Sequence, residues 1–241
     1  MSENRGKLLW EEKEISTVRL SEDDRNEILR YVGYTGQEIT PEFEAQFEIC
    51  IEKINRVAQP RLQACLIECN PRTGEWPESL SFLTGKDIHN HLEGCREVLL
   101  FGTTIGSGVD RAIHVEEVRD PVQAVIMDSC GSTLVEAVCD SFEAILRRRY
   151  ETGSEKRYIT TRFSPGYGDL PLEIQNHFAQ VIEARRIGLT VTPEHIMIPR
   201  KSVTAIIGIA DKPLGEKKRS CDACNLKSSC RFRKHGVLCG E

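Results

Sequence analysis

From Asp120-Pro121 towards Arg149 the chain carries its longest helical stretch. Aspartate before proline is a strong helix start, because the carboxylate accepts from first-turn amides and the proline has no amide to leave unpaired. Arg147, Arg148 and Arg149 fall in the last turn, where positive charge suits the helix dipole. Gly131 is expected to interrupt the stretch.

The other elements follow from spacing and punctuation. Ser21 opens a helix, with Asp24 near a capping-box position and Gly33 as its stop. Thr40-Pro41 opens another, whose Phe43, Phe47, Cys50, Ile54 and Ala58 form one apolar stripe, and Pro60 ends it. Residues 62–68 read as a strand, 86–94 as a short helix and 97–101 as a buried strand, followed by the glycines of GTTIGSG (102–108). Residues 158–163 read as a strand and SPGYGD (164–169) as a turn. Asp169 and Pro171 open a helix ending near Gly188. Residues 189–192 and 202–209 are strands. Helices and strands mix without regular βαβ alternation, which predicts an α+β fold. Composition breaks at Asp211-Lys-Pro-Leu-Gly215, so a large domain, 1–212, and a small cysteine-rich tail, 213–241, are expected.

The chain has 241 residues, 29% of them charged, and a net charge of -5. That balance argues against a nucleic-acid binder. No apolar run approaches the ~18 residues of a membrane span, and residues 1–14 are charged without an apolar signal core, so a cytoplasmic location is expected. Ten cysteines are then thiols or metal ligands rather than disulfides. Cys50, Cys65, Cys69, Cys95, Cys130 and Cys139 sit in apolar or helical surroundings and read as core thiols.

RFSPGYGDLP (162–171) is the internal motif with most chemistry. A strand delivers Arg162 into a turn whose glycines let backbone approach a ligand. The guanidinium suits a carboxylate, the turn amides suit other polar groups, and Tyr167 would project as an aromatic wall. The same residues also fit a plain strand-to-helix connection with Arg162 in a surface ion pair. His89, His91 and Cys95 read as structural, since only His91 and Cys95 share a helical face. GTTIGSG lacks the Lys-Ser/Thr of a P-loop.

The segment Arg162, Phe163, Ser164, Pro165, Gly166, Tyr167 resembles the arginine, three-residue spacer and Gly-Tyr turn of the activation domain of cobalamin-dependent methionine synthase. LVEAVCD (134–140) and GLTVTPEHIMIPRKSVTAIIG (188–208) resemble its flanking segments. EILRYVGYTGQEITPE (27–42) and LFGTTIGSGVDRAIHVEEV (100–118) look like free-standing members of that family. The resemblance covers roughly residues 15–210. It implies a twisted mixed or antiparallel sheet with flanking helices, and S-adenosylmethionine as ligand. It assigns Arg162 to the ligand carboxylate, Glu136 to its ammonium, and the backbone of Ser164, Gly166, Ile207 and Gly208 to further contacts. Tyr167 would lie near the corrin face as the catalytic contact. The loop from Glu136 to Arg162 is shorter than in the full-length enzyme, and position 207 is isoleucine where relatives often carry an aromatic.

The implied role is reactivation. A methyl group from S-adenosylmethionine and one electron restore a corrinoid that has lost its lowest oxidation state. The chain would be a component of a methyltransferase rather than the whole enzyme. Cobalamin would ride on a partner chain, a methionine synthase or another corrinoid protein, because no Asp-x-His-x-x-Gly motif occurs here. A metal-binding interaction module is the alternative.

Cys221, Cys224, Cys230 and Cys239 form C-x2-C-x5-C-x8-C. Structural zinc uses two close cysteine pairs, and here only the first two are close. The spacing resembles SPASM-type iron–sulfur segments, so a [4Fe-4S] cluster is expected, with zinc as the alternative. Residues 212–240 carry eight Lys or Arg against Glu216 and Asp222, a charge balance that suits an anionic cluster and an acidic flavodoxin or ferredoxin donor.

Overall fold

The computed structural model describes residues 12–69, 75–152 and 156–214. In chain order the elements are α1 (Glu12–Ser16), α2 (Arg25–Val32), α3 (Pro41–Val57), β1 (Arg61–Glu68), α4 (Lys86–His91), β2 (Glu97–Thr104), α5 (Ser107–Arg119), α6 (Pro121–Glu151), β3 (Tyr158–Ile159), α7 (Gln175–Val181), β4 (Thr190–Val191), β5 (Met197–Ile198) and β6 (Ser202–Ala210). The main sheet is antiparallel, in the order β1-β2-β6-β3, and β4 and β5 form a separate ribbon. The α+β architecture and the antiparallel sheet are as expected.

Alternation along the strands divides the core in two. Leu99 and Phe101 of β2, with Ala205, Ile207 and Ile209 of β6, face α2, α3, α5 and α6. Val98, Leu100 and Ile206 face the opposite way, towards Ile88 and Leu92 at α4 and Phe178 of α7. Covering both faces explains why the central strands read as unbroken apolar runs. The cap on α3 forms as predicted, with Thr40 Oγ1 accepting from the Phe43 amide at 3.2 Å. Phe47, Cys50, Ile54 and Ala58 are buried beneath it. Gly33 ends α2 in the left-handed conformation, at φ 91°.

Several expectations need correction. α6 runs unbroken through Gly131. A helical glycine costs about 1 kcal/mol against alanine, whereas each buried large apolar side chain returns ~1.5–3 kcal/mol, and Ile126, Met127, Leu134, Val138 and Phe142 are all buried. Lys201 and Val109 pass over Gly131, where a Cβ would meet them at 3.2 and 3.3 Å. The glycine therefore serves close packing. α6 is long and apolar enough to cross a membrane by length and composition alone, but most of it is buried inside the protein, as in a core helix.

The helix expected from Asp169 to Gly188 is instead a 3-10 turn at Leu172–Ile174, then α7, then a second turn at Ala184–Ile187. Glu183 adopts φ 53° between the last two pieces. Ile182 and Ala184 are both buried, and on one continuous helix their directions would diverge by about 200°. The left-handed residue turns both inward. Gly102 lies inside β2 rather than in a loop, and Ser107 and Gly108 already belong to α5, which like α1 and β5 has no counterpart among the expected elements.

The six cysteines among the described residues are buried thiols outside any disulfide. Burial pushes the Cys50 and Cys69 thiols up to about 11 and Cys130 up to about 12. An acid held neutral by folding stabilises the native state fully below its unfolded value, which is about 9 here. That contribution is lost as pH rises, because the unfolded chain ionises first. Urea midpoints should therefore fall steadily from about pH 9 upward. A flat profile to about pH 10.5 would contradict this account.

Candidate functional site

The site begins as an irregularity in β-pairing. Ile159 pairs with Ile209. Thr160 then bonds Gly208 twice: its amide donates to the Gly208 carbonyl, and its Oγ1 accepts from the Gly208 amide, both at 2.9 Å. The next pair is Phe163 with Ile206. Thr161 and Arg162 thus stand opposite the single residue Ile207, which is a β-bulge. In a strand without the extra residue, alternation from Ile159 would aim Arg162 at the α4 face. The bulge resets the alternation, so Arg162 faces α6 and Phe163 packs with the α4 core. The Thr161 carbonyl, displaced from the ladder, accepts from His91 Nε2 and from Thr160 Oγ1, each at 2.9 Å.

Arg162 meets three carboxylates of α6 spaced along one helical face. Its Nη2 donates to Glu136 at 2.8 Å, and its Nη1 donates to Asp140 and Glu143, both at 2.6 Å. The Arg162 side chain is 12% exposed and Glu143 15%, while Glu136 is 39% and Asp140 68% exposed. Burial works against the guanidinium's charge, but Cys139, Asp140 and Glu143 outweigh it and hold its pKa above the usual value. Arg147 is the next cation, 4.0 Å from Glu143. The site therefore carries an excess of negative charge. Tyr31 of α2, itself exposed, has its pKa raised by partial desolvation and then by the charges of Glu136 and Glu27.

The turn after Arg162 is closed by its own backbone. The Gly166 amide donates to the Leu170 carbonyl at 2.9 Å and the Tyr167 amide to the Ser164 carbonyl at 3.1 Å. The expected helix-starting role of Asp169 is corrected: its carboxylate accepts from the amides of Lys86 and Asp87, at 2.6 and 2.9 Å, and so caps α4. Asp87 returns the contact to the Asp169 amide at 3.2 Å. Gly168, at φ 54°, makes this possible, because a Cβ there would lie 2.3 Å from Asp87. Tyr167 stands 65% exposed beside Phe163, with ring centroids 6.3 Å apart.

Of the residues singled out in the sequence, Glu136 and Arg162 are thus in contact, and Ser164, Gly166 and Tyr167 follow directly in the turn. Ile207 and Gly208 are buried in the sheet. Both backbone polar groups of Gly208 are engaged by Thr160, and a Cβ on it would lie 2.4 Å from Cys95 Sγ. These two residues shape the bulge from behind. His89 Nδ1 contacts the Gly85 carbonyl at 2.7 Å, in keeping with a structural role. Cys221, Cys224, Cys230 and Cys239 lie outside the described residues. Among the described residues, no group of three or more His, Cys, Asp or Glu is placed to hold a metal. Asp140 and Glu143 were missed, although their i+4 and i+7 spacing from Glu136 was the available signal.

The α+β arrangement of a long buried helix under an antiparallel sheet is a known domain fold. It is similar to the crystal structure of the MetH reactivation domain bound to AdoHcy, with a TM-score of 0.55, 14% identity, and coverage of 96% of this chain and 86% of that one. The sequence matches no family model and no curated protein.

Proposed function

We propose that the chain binds S-adenosylmethionine at Arg162 and Glu136 and acts as the reactivation component for a corrinoid methyltransferase carried on a partner, a cobalamin-dependent methionine synthase in the first instance. The observation that carries this reading is the contact between Arg162 and Glu136, paired at 2.8 Å on a domain with the fold of the MetH reactivation domain. The residues fit the ligand's amino-acid end: a guanidinium fork for the carboxylate and a helix carboxylate for the ammonium. Excess negative charge suits a sulfonium. Bound S-adenosylmethionine supplies the methyl group. The protein's part is to hold the ligand by its amino-acid end and aim the sulfonium outward, past Ser164, Gly166 and exposed Tyr167, towards the partner. Such a transfer requires no general base.

The segment 213–241 forms a separate unit in this proposal. Cys221, Cys224, Cys230 and Cys239 would hold a [4Fe-4S] cluster, which would supply one-electron chemistry between a flavodoxin or ferredoxin and the corrinoid. Their spacing and the basic residues around them support it. Iron and acid-labile sulfide in the anaerobically reconstituted protein test this part, and stoichiometric zinc alone would refute it.

Calorimetry tests the ligand assignment. Wild type should bind S-adenosylmethionine. Arg162→Lys keeps the charge but loses the fork, and should bind roughly tenfold or more weakly. Glu136→Gln should weaken binding while the circular dichroism spectrum stays native. Absence of binding by wild type, or full affinity in Arg162→Lys, would overturn the assignment.

A further inference from the structure

Three carboxylates on one guanidinium raise the question of how a fourth, brought by a ligand, gains access. A guanidinium has five N–H donors. Both Nη1 hydrogens are engaged, by Asp140 and Glu143, and one Nη2 hydrogen by Glu136. A carboxylate approaching the Nη1–Nη2 end of Arg162 must therefore displace a resident one. The three residents are unequal. Glu143 is 15% exposed, so releasing it would leave a poorly solvated charge. Glu136 is the proposed partner of the ligand ammonium. Asp140 is 68% exposed and contacts the guanidinium through a single oxygen. Rotation of its short side chain returns the carboxylate to water, where it is fully solvated.

We propose that Asp140 is a resident competitor, occupying the Nη1 position that the ligand's carboxylate takes in the complex and leaving for solvent when the ligand arrives. Asp140 thereby sets affinity for ligands with a free amino-acid carboxylate, and keeps the second Nη1 hydrogen paired when no ligand is present. This inference rests on the reading of Arg162 as the carboxylate anchor.

Calorimetry with S-adenosylhomocysteine, which is neutral overall, separates competition from simple charge attraction. Asp140→Asn should bind it roughly two- to fivefold more tightly than wild type, the range set by an exposed ion pair. Asp140→Ala should do the same, with thermal melting confirming that both variants are folded. 5′-Methylthioadenosine lacks the amino-acid carboxylate, and any affinity it has should not change. Unchanged or weakened S-adenosylhomocysteine binding in both variants would overturn the role of Asp140 alone, as would equal tightening of 5′-methylthioadenosine. If wild type and both variants bind neither S-adenosylhomocysteine nor S-adenosylmethionine, the anchor reading falls and this inference with it.

Discussion

Arg162→Met is expected to cost about 2–4 kcal/mol of folding stability, a loss measurable as a lower urea midpoint at unchanged slope. The side chain is nearly buried and is the shared counter-ion of Glu136, Asp140 and Glu143. Methionine fills much of the volume but leaves the three carboxylates facing one another without a cation. Breaking a buried pair by removing one partner typically costs ~3–5 kcal/mol. The figure is discounted here because Glu136 and Asp140 are more than a third exposed and water screens them. Glu143 carries most of the effect. Adding Glu143→Gln to the methionine variant should recover part of the loss, because it removes the least solvated stranded charge. If the double variant is no more stable than Arg162→Met, the cost lies in packing and the charge account is wrong.

Phe142→Ala should be more damaging still, at about 3–5 kcal/mol. Phe142 is fully buried on α6, and its ring meets that of Phe101 on β2 edge-on, with centroids 5.0 Å apart. This contact joins the longest helix to the centre of the sheet. Truncation removes apolar area from water exclusion and leaves a cavity that neither a 31-residue helix nor a paired strand can relax to fill. Phe142→Leu should cost much less, because most of the volume is kept. Chemical denaturation of both variants gives the comparison. Equal losses would mean that the edge-on contact, and not volume, holds the helix.

Legibility in the sequence followed the range of the interaction concerned. The starts of α3 and α6 could be read because a cap is set by neighbours one to three residues away, as at Thr40 and Asp120. The buried face of α3 could be read because helical spacing is local. Gly131 misled because its partner, Lys201, is distant in sequence and local propensity favours a break. Asp169 misled for the same reason: its partners are the amides of Lys86 and Asp87. The candidate site was nameable as residue types but not as geometry. Arg162 could be named from its motif and Glu136 from the family resemblance of LVEAVCD, whereas the bulge that aims Arg162 at α6 is a property of the pairing with β6, which no local pattern encodes. Asp140 and Glu143 lay in plain view on the helix, but only the aimed guanidinium gives them a role.

One short helix grips the arginine segment twice. At one end His91 holds the carbonyl of Thr161, and at the other the first amides of α4 hold Asp169. The stretch between is therefore a span fixed at both abutments, and Ile88 and Leu92 root the supporting pier in the core. The ligand proposed for Arg162 would meet a cradle whose shape was settled when the chain folded, so loop ordering would add little entropic penalty to its arrival. Widening the cradle would require α4 itself to shift, together with the apolar contacts beneath it.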